Sequence, residues 1–216
     1  MNRSTTVWTA AIALIAAVTL FSMSQQVTAA DADKYVQGSY EVTAQTEVKI
    51  SFGVGSLQLS HHDGDKVEVE IKATASDGGF WRSKGDVSRV ELKATQKGHW
   101  LELVVPEQDN VQLEWQVKLP RVSSLDVELG IGEIKGKIAS TDLAIDLGIG
   151  DVKLTLMGDV KSINMDVGVG DTKITGARHS SSERAIVTSS SSAQGNGQAR
   201  INVDAGIGDV HIIIED

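Results

Sequence analysis

The chain has 216 residues, with 20 Lys and Arg against 29 Asp and Glu, a formal charge of −9 and no cysteine. The acidic balance argues against nucleic acid and anionic membrane surfaces as partners. The missing cysteines exclude a disulfide framework, thiolate metal sites and a lipid-modified N-terminal cysteine.

The N-terminus pairs one early cation, Arg3, with an apolar run from Val7 to Phe21 and then small residues at Val27, Ala29 and Ala30. That order predicts a secretory signal peptide over residues 1–30, cleaved after Ala29 or Ala30. A retained anchor is the competing reading, because the run nearly spans a bilayer, but the small-residue pattern favours removal. Cleavage would take away Arg3 and no acid, leaving the mature chain slightly more acidic. No second apolar span follows, so the expectation is an exported protein without stable membrane insertion, periplasmic or at the cell surface. Residues 31–39 read as a flexible N-terminal segment, and residues 40–216 as one domain.

Within that domain the first strand pattern is "VKISFGVGSLQLS", containing Gly53 and Gly55. A turn, "HHDGD", leads to "VEIKAT" (Val69 to Thr74). After a glycine-rich loop holding Phe80 and Trp81 comes the near copy "VELKAT" (Val90 to Thr95). "WLELVVPEQD" and "VQLEWQVKLP" supply two more alternating stretches. The first pattern then returns as "LDVELGIGEIKGK", "LAIDLGIGDVKLT", "INMDVGVGDTKIT" and "INVDAGIGDVHII", with glycine pairs Gly130 and Gly132, Gly148 and Gly150, Gly168 and Gly170, and Gly206 and Gly208. The first glycines of successive units lie 77, 18, 20 and 38 residues apart, which suits a unit of about 19 residues with degenerate copies, one of them around Ala185, Ile186 and Val187.

Apolar residues alternate within a unit, with Leu143, Ile145, Leu147 and Ile149 on one face. After Gly150 the parity flips to Val152, Leu154 and Leu156, so the chain must turn a corner to keep its apolar side inward. Glycine allows such a turn where a Cβ resists it. Equivalent positions recurring once per unit predict stacked coils: an all-β parallel β-solenoid of about 19 residues per coil, with Leu125, Leu143, Ile163 and Ile201 in one inward ladder. A β-sandwich is the alternative, because residues 40–120 repeat less regularly.

The succession of a glycine-bearing opening strand, the "HHDGD" turn, strands ending in "VVPEQD" and "VKLP", and Gly-Asp rungs to the end resembles the adhesin-like β-solenoid family of bacterial envelope proteins, relatives of the auto-transporter adhesin head domain. The resemblance covers residues 40–216. It implies a single-stranded, right-handed β-helix in an exported protein, with no established activity and no catalytic residues to carry over, and the expected role is that of a structural or interaction module.

Reactive constellations are scarce. "GIGEIKG" (Gly130 to Gly136) lacks the third glycine spacing of a dinucleotide site. His61 and His62, beside Asp63 and Asp65, are metal-capable, but adjacent strand residues face opposite ways and no further ligand is evident. His99, His179 and His211 adjoin no nucleophile motif. The expectation is therefore no enzyme, no cofactor and no metal. A calcium-binding solenoid is the first alternative and a carbohydrate-active β-helix enzyme the second. Phe80 and Trp81 are candidate contacts for an unknown envelope or surface partner, unless they cap the core, and Ser180 to Gln198 reads as a flexible surface loop. In-register coils also place Glu133, Asp151, Asp171 and Asp209 in one acidic column and Glu128, Asp146, Asp166 and Asp204 in another. Lys135, Lys153, Lys173 and His211 can offset the first column by cross-strand pairing, whereas the second has no such row.

Overall fold

The computed structural model describes residues 33–76, 85–177, 179–184 and 188–215. These form strands in a single mixed sheet. The N-terminal half comprises β1 (Lys34–Glu41), β2 (Glu47–His61), β3 (Lys66–Ala75), β4 (Lys93–Lys97), β5 (Trp100–Val105) and β6 (Val111–Leu119). The C-terminal half comprises β7 (Ser124–Ala139), β8 (Asp142–Met157), β9 (Val160–Val169), β10 (Thr172–Thr175), β11 (His179–Arg184), β12 (Ser189–Gln194), β13 (Ala199–Ile207) and β14 (Val210–Glu215). Among the described residues no helix is long and apolar enough to cross a membrane.

The long strands are bent rungs. On β8, Leu143, Ile145 and Leu147 are buried before the glycine corner and Val152, Leu154 and Leu156 after it. β7 and β8 pair in parallel over their whole lengths, Leu125 with Leu143 and Gly132 with Gly150. Where a corner is interrupted, two short strands share one rung: β13 and β14 both pair with β8, β9 and β10 pair with β13 and β14, and β5 and β6 pair with the two halves of β2. One continuous apolar core, from Val36 to Ile212, lies under all of them. Each fully buried Leu or Ile contributes about 1.5–3 kcal/mol of hydrophobic stabilisation.

The rungs do not stack in chain order. The ladder runs β5/β6, β2, β7, β8, β13/β14, β9/β10, so that only β7 to β8 is a step between consecutive coils. Leu125, Leu143, Ile201 and Ile163 form the ladder in that spatial order, with the C-terminal rung inserted between two earlier ones. Equivalent rungs offer equivalent edges, so the repeat pattern leaves their order to the connections between them.

The sequence expectations are corrected in four further places. β1, β3 and β6 pair antiparallel, as do β4 with β5 and β12 with both β9 and β11. The near copies "VEIKAT" and "VELKAT" are not equivalent: the first lies in β3 between β1 and β6, while the second runs into β4, whose side chains are all exposed. Most of the segment 31–39 expected to be flexible belongs to β1, because Val36 is buried and every residue from Lys34 to Glu41 has a partner in β3. Two segments of the serine-rich stretch are also strands, β11 and β12. Ser189 and Ser191 are buried in β12 and their hydroxyls bond Thr172 Oγ1 at 2.8 and 2.6 Å, which satisfies polar groups that would otherwise oppose burial.

Candidate functional site

The Gly-φ-Gly corners, where φ is an aliphatic residue, stack on one another. Gly150 has φ +139, and a Cβ there would lie 1.7 Å from the carbonyl oxygen of Gly132. Gly148 needs no left-handed φ, yet its Cβ would meet the Gly130 oxygen at 2.4 Å. The second glycine thus permits the turn and the first permits the close rung spacing. The aliphatic residue between them is turned outward. Ile131, Ile149, Ile207 and Val169 are 46–49% exposed and neighbour one another in that order. This corrects the expectation that Ile149 continues the inward face of Leu147, since the corner begins at Gly148, two residues earlier than alternation alone indicates.

An acidic column flanks this ridge on each side. On the C-terminal side the carboxylates serve the backbone. Asp151 Oδ1 accepts the N–H of Asp209 at 2.9 Å, and Asp209 Oδ1 accepts the N–H of Asp171 at 2.9 Å. Glu133 instead pairs with Lys135 of its own rung at 2.7 Å. The cation row is in register, Lys135 beside Lys153, Lys153 beside His211 and His211 beside Lys173. Burial, then Lys173 and Lys153, push the His211 imidazole below its ordinary pKa. Its Nε2 lies 2.9 Å from Thr175 Oγ1, a surface hydroxyl–imidazole contact set among lysines.

The other column, Glu128, Asp146, Asp204 and Asp166, is in register across four rungs. Lys49 of β2 compensates its first member, with Nζ 2.5 Å from Glu128 Oε1 and 4.0 Å from Asp126. Further along, the charges accumulate: burial, with Asp146 and Asp166 alongside, holds the Asp204 carboxyl above the usual range. Asp126 is raised as well, first by burial, with Lys49 opposing and Glu128 and Asp146 adding to the rise. Ser190 donates to Asp166 at 2.5 Å. Between this column and the aliphatic ridge lie Gly130, Gly148, Gly206 and Gly168, whose missing side chains leave an open trough of about 840 Å³.

The other sequence candidates that fall among the described residues are not drawn into this site. Phe80 and Trp81 lie outside the described residues. His61 Nδ1 contacts the Leu119 carbonyl at 3.1 Å, joining the end of β2 to β6, and His62 Nε2 contacts the Lys66 carbonyl at 2.8 Å, closing the turn between β2 and β3. Among the described residues, the side chains close enough to share one cation are Asp126, Glu128 and Asp146, with ligand atoms within 4.8 Å of one another. The Lys49 ammonium already supplies a positive charge to that group. Its role was not legible from sequence, because Lys49 belongs to a unit 77 residues away from Glu128's.

The fold and this corner define an all-β protein of stacked, bent rungs that carries an acid-flanked aliphatic ridge. The profile described as the N-terminal domain of toast_rack, DUF2154, matches residues 23–175, and the chain belongs to that family. No curated protein shows a significant sequence match. Among solved structures, a Clostridium sporogenes protein provisionally described as a cell adhesion protein superposes with a TM-score of 0.50 at 17% identity, covering 84% of this chain and 100% of its own. This likeness shows a shared fold. More distant neighbours are a provisionally described adhesin from Bacteroides fragilis (TM-score 0.29, 11% identity, covering 83% of this chain and 97% of its own) and a provisionally described lipid-binding protein from Parabacteroides distasonis (TM-score 0.24, 8% identity, covering 83% and 97%). The family match stops at residue 175, before β13 and β14, although β13 lies in the middle of the ladder.

Proposed function

We propose that this chain is an exported, non-enzymatic protein of the bacterial envelope, an adhesin-like, solenoid-related module whose stacked corners present a rigid surface to a partner. The observation that carries this reading is the ridge of Ile131, Ile149, Ile207 and Val169, half-exposed on a backbone whose glycine contacts leave little room for rearrangement. Aliphatic side chains held at one edge of a soluble sheet are hydrophobic surface available for association. The description of the Clostridium sporogenes protein with the same fold agrees with a role in contact rather than catalysis. The N-terminal pattern supports export. Lys49, paired with Asp126 and Glu128, counts against a calcium site at the group those two form with Asp146. The trough has an acidic wall, but its aromatic residue, Phe52, is buried in the core and stacked on Trp115, which leaves no exposed ring for a sugar.

Fractionation of host cells with mass spectrometry of the N-terminus tests the reading. An envelope fraction carrying a chain that begins at Ala30 or Asp31, with a partner that cross-links to it, is expected. A cytoplasmic chain retaining Met1 would overturn it.

A further inference from the structure

We infer that the trough beside the glycine corners is a docking groove for a basic amphipathic helix of a partner protein. This rests on the interaction role proposed above and names the partner's chemistry. Two parallel rows run along this corner: the carboxylates of Glu128, Asp146, Asp204 and Asp166, which line the trough, and the exposed ridge of Ile131, Ile149, Ile207 and Val169, each of which directly follows one of the trough's glycines in the chain. Lys49 neutralises the first carboxylate, whereas among the described residues no cation is paired with Asp146 or Asp204. An occupant that buries the ridge must bring positive charge to the other wall. A second copy of this chain brings the opposite, since it carries −9 overall and the same acidic rows.

Spacing selects the form of the occupant. Neighbouring rungs lie ~4.8 Å apart, so three steps from Ile131 to Val169 span about 14 Å. A helix repeats a side chain on one face about every 5.4 Å, close to one rung, and can set an aliphatic stripe beside a Lys or Arg stripe. An extended peptide repeats on one face every ~6.6 Å and loses register after the first step. The glycine floor has no side chains to hold a helix away from the backbone.

The test uses the purified mature chain and a dye-labelled synthetic peptide of leucine and lysine in an amphipathic helical order, read by fluorescence anisotropy. Controls are the same residues in strict alternation and a leucine–glutamate helix. Preferential binding of the leucine–lysine helix, weakening with salt, is expected. Ile149→Ser with Ile207→Ser should lower affinity on the order of tenfold at an unchanged melting temperature. Asp146→Asn with Asp204→Asn should lower it on the order of tenfold at low salt and flatten the salt dependence. Equal binding of the alternating peptide, unchanged affinity in both variants, or self-association through the ridge in ultracentrifugation would overturn the proposal. Should the Ile149→Ser, Ile207→Ser variant still capture an envelope partner, the interaction role stands and this groove is not its site.

Discussion

The backbone N–H of Asp209 donates to the carboxylate of Asp151 across 2.9 Å, although 58 residues separate them in the chain. The same bond is made by Asp171 to Asp209. At the corner the Gly-Asp step turns this N–H out of the regular ladder, and the neighbouring rung's side chain receives it. The aspartate after the second glycine therefore serves the backbone. Asp151→Ala is expected to cost about 0.5–1 kcal/mol. Asp151→Asn, which keeps an acceptor oxygen, should lose less than half of that. Chemical denaturation of the two variants checks the order.

The glycine columns separate steric necessity from conformational preference. Gly150→Ala places a Cβ 1.7 Å from the Gly132 oxygen and should cost about 4 kcal/mol or prevent folding. Gly98 also has a left-handed φ of +58, but nothing lies within 4 Å of its Cβ position. Gly98→Ala should cost only about 1 kcal/mol. Similar melting temperatures for the two variants would contradict the corner geometry.

Insertion of the C-terminal rung between β8 and β9 makes the last residues a central element. Truncation after Gln198 strips β8 and β9 of their shared partner and leaves two unpaired edges over an opened core. The truncated chain is expected to lose cooperative thermal unfolding and to aggregate, even though it retains the whole family-matched segment. A synthetic peptide spanning residues 199–216 should restore part of the native circular dichroism.

Asp204 is held above the usual carboxyl pKa by burial and then by Asp146 and Asp166. The folded state therefore binds its proton more tightly than the unfolded chain does. This unfavourable contribution is absent below the ordinary carboxyl range and appears as pH rises through the elevated pKa. Asp204→Asn should stabilise the protein by about 0.5 kcal/mol at neutral pH, the size of a like-charge cross-strand pair. The gain should vanish as pH falls through the carboxyl range, read as melting temperature against pH.

Lys49 has its pKa raised, first by its hydrogen bond to Glu128, so its contribution holds at neutral pH and is lost only as pH rises through the raised value. Lys49→Gln is expected to destabilise by about 1 kcal/mol, discounted for the partial exposure of the pair. With Lys49 present, millimolar calcium should leave the melting temperature of the native chain unchanged beyond ionic screening. A rise of several degrees, reversed by chelator, would show that the ammonium does not exclude the ion.

The all-β class, the corner at each glycine pair and the two acidic columns could be read from sequence, because alternation with a period of two residues and the parity flip at Gly-φ-Gly are local backbone constraints. In-register equivalence followed as well: Leu125, Leu143, Ile163 and Ile201 do share one ladder. The tertiary structure decided their order. Rungs of equal pattern bury equal faces against either neighbour, so nothing within one unit says that β13 belongs between β8 and β9. That position follows from the antiparallel β11–β12 pair, which lies against the far side of β9. The outward turn of Ile149 was likewise hidden, because alternation counts residues while the corner rotates the chain between Gly148 and Gly150. The pairing of Lys49 with Glu128 joins units far apart in sequence, and only the parallel register of β2 with β7 brings them together.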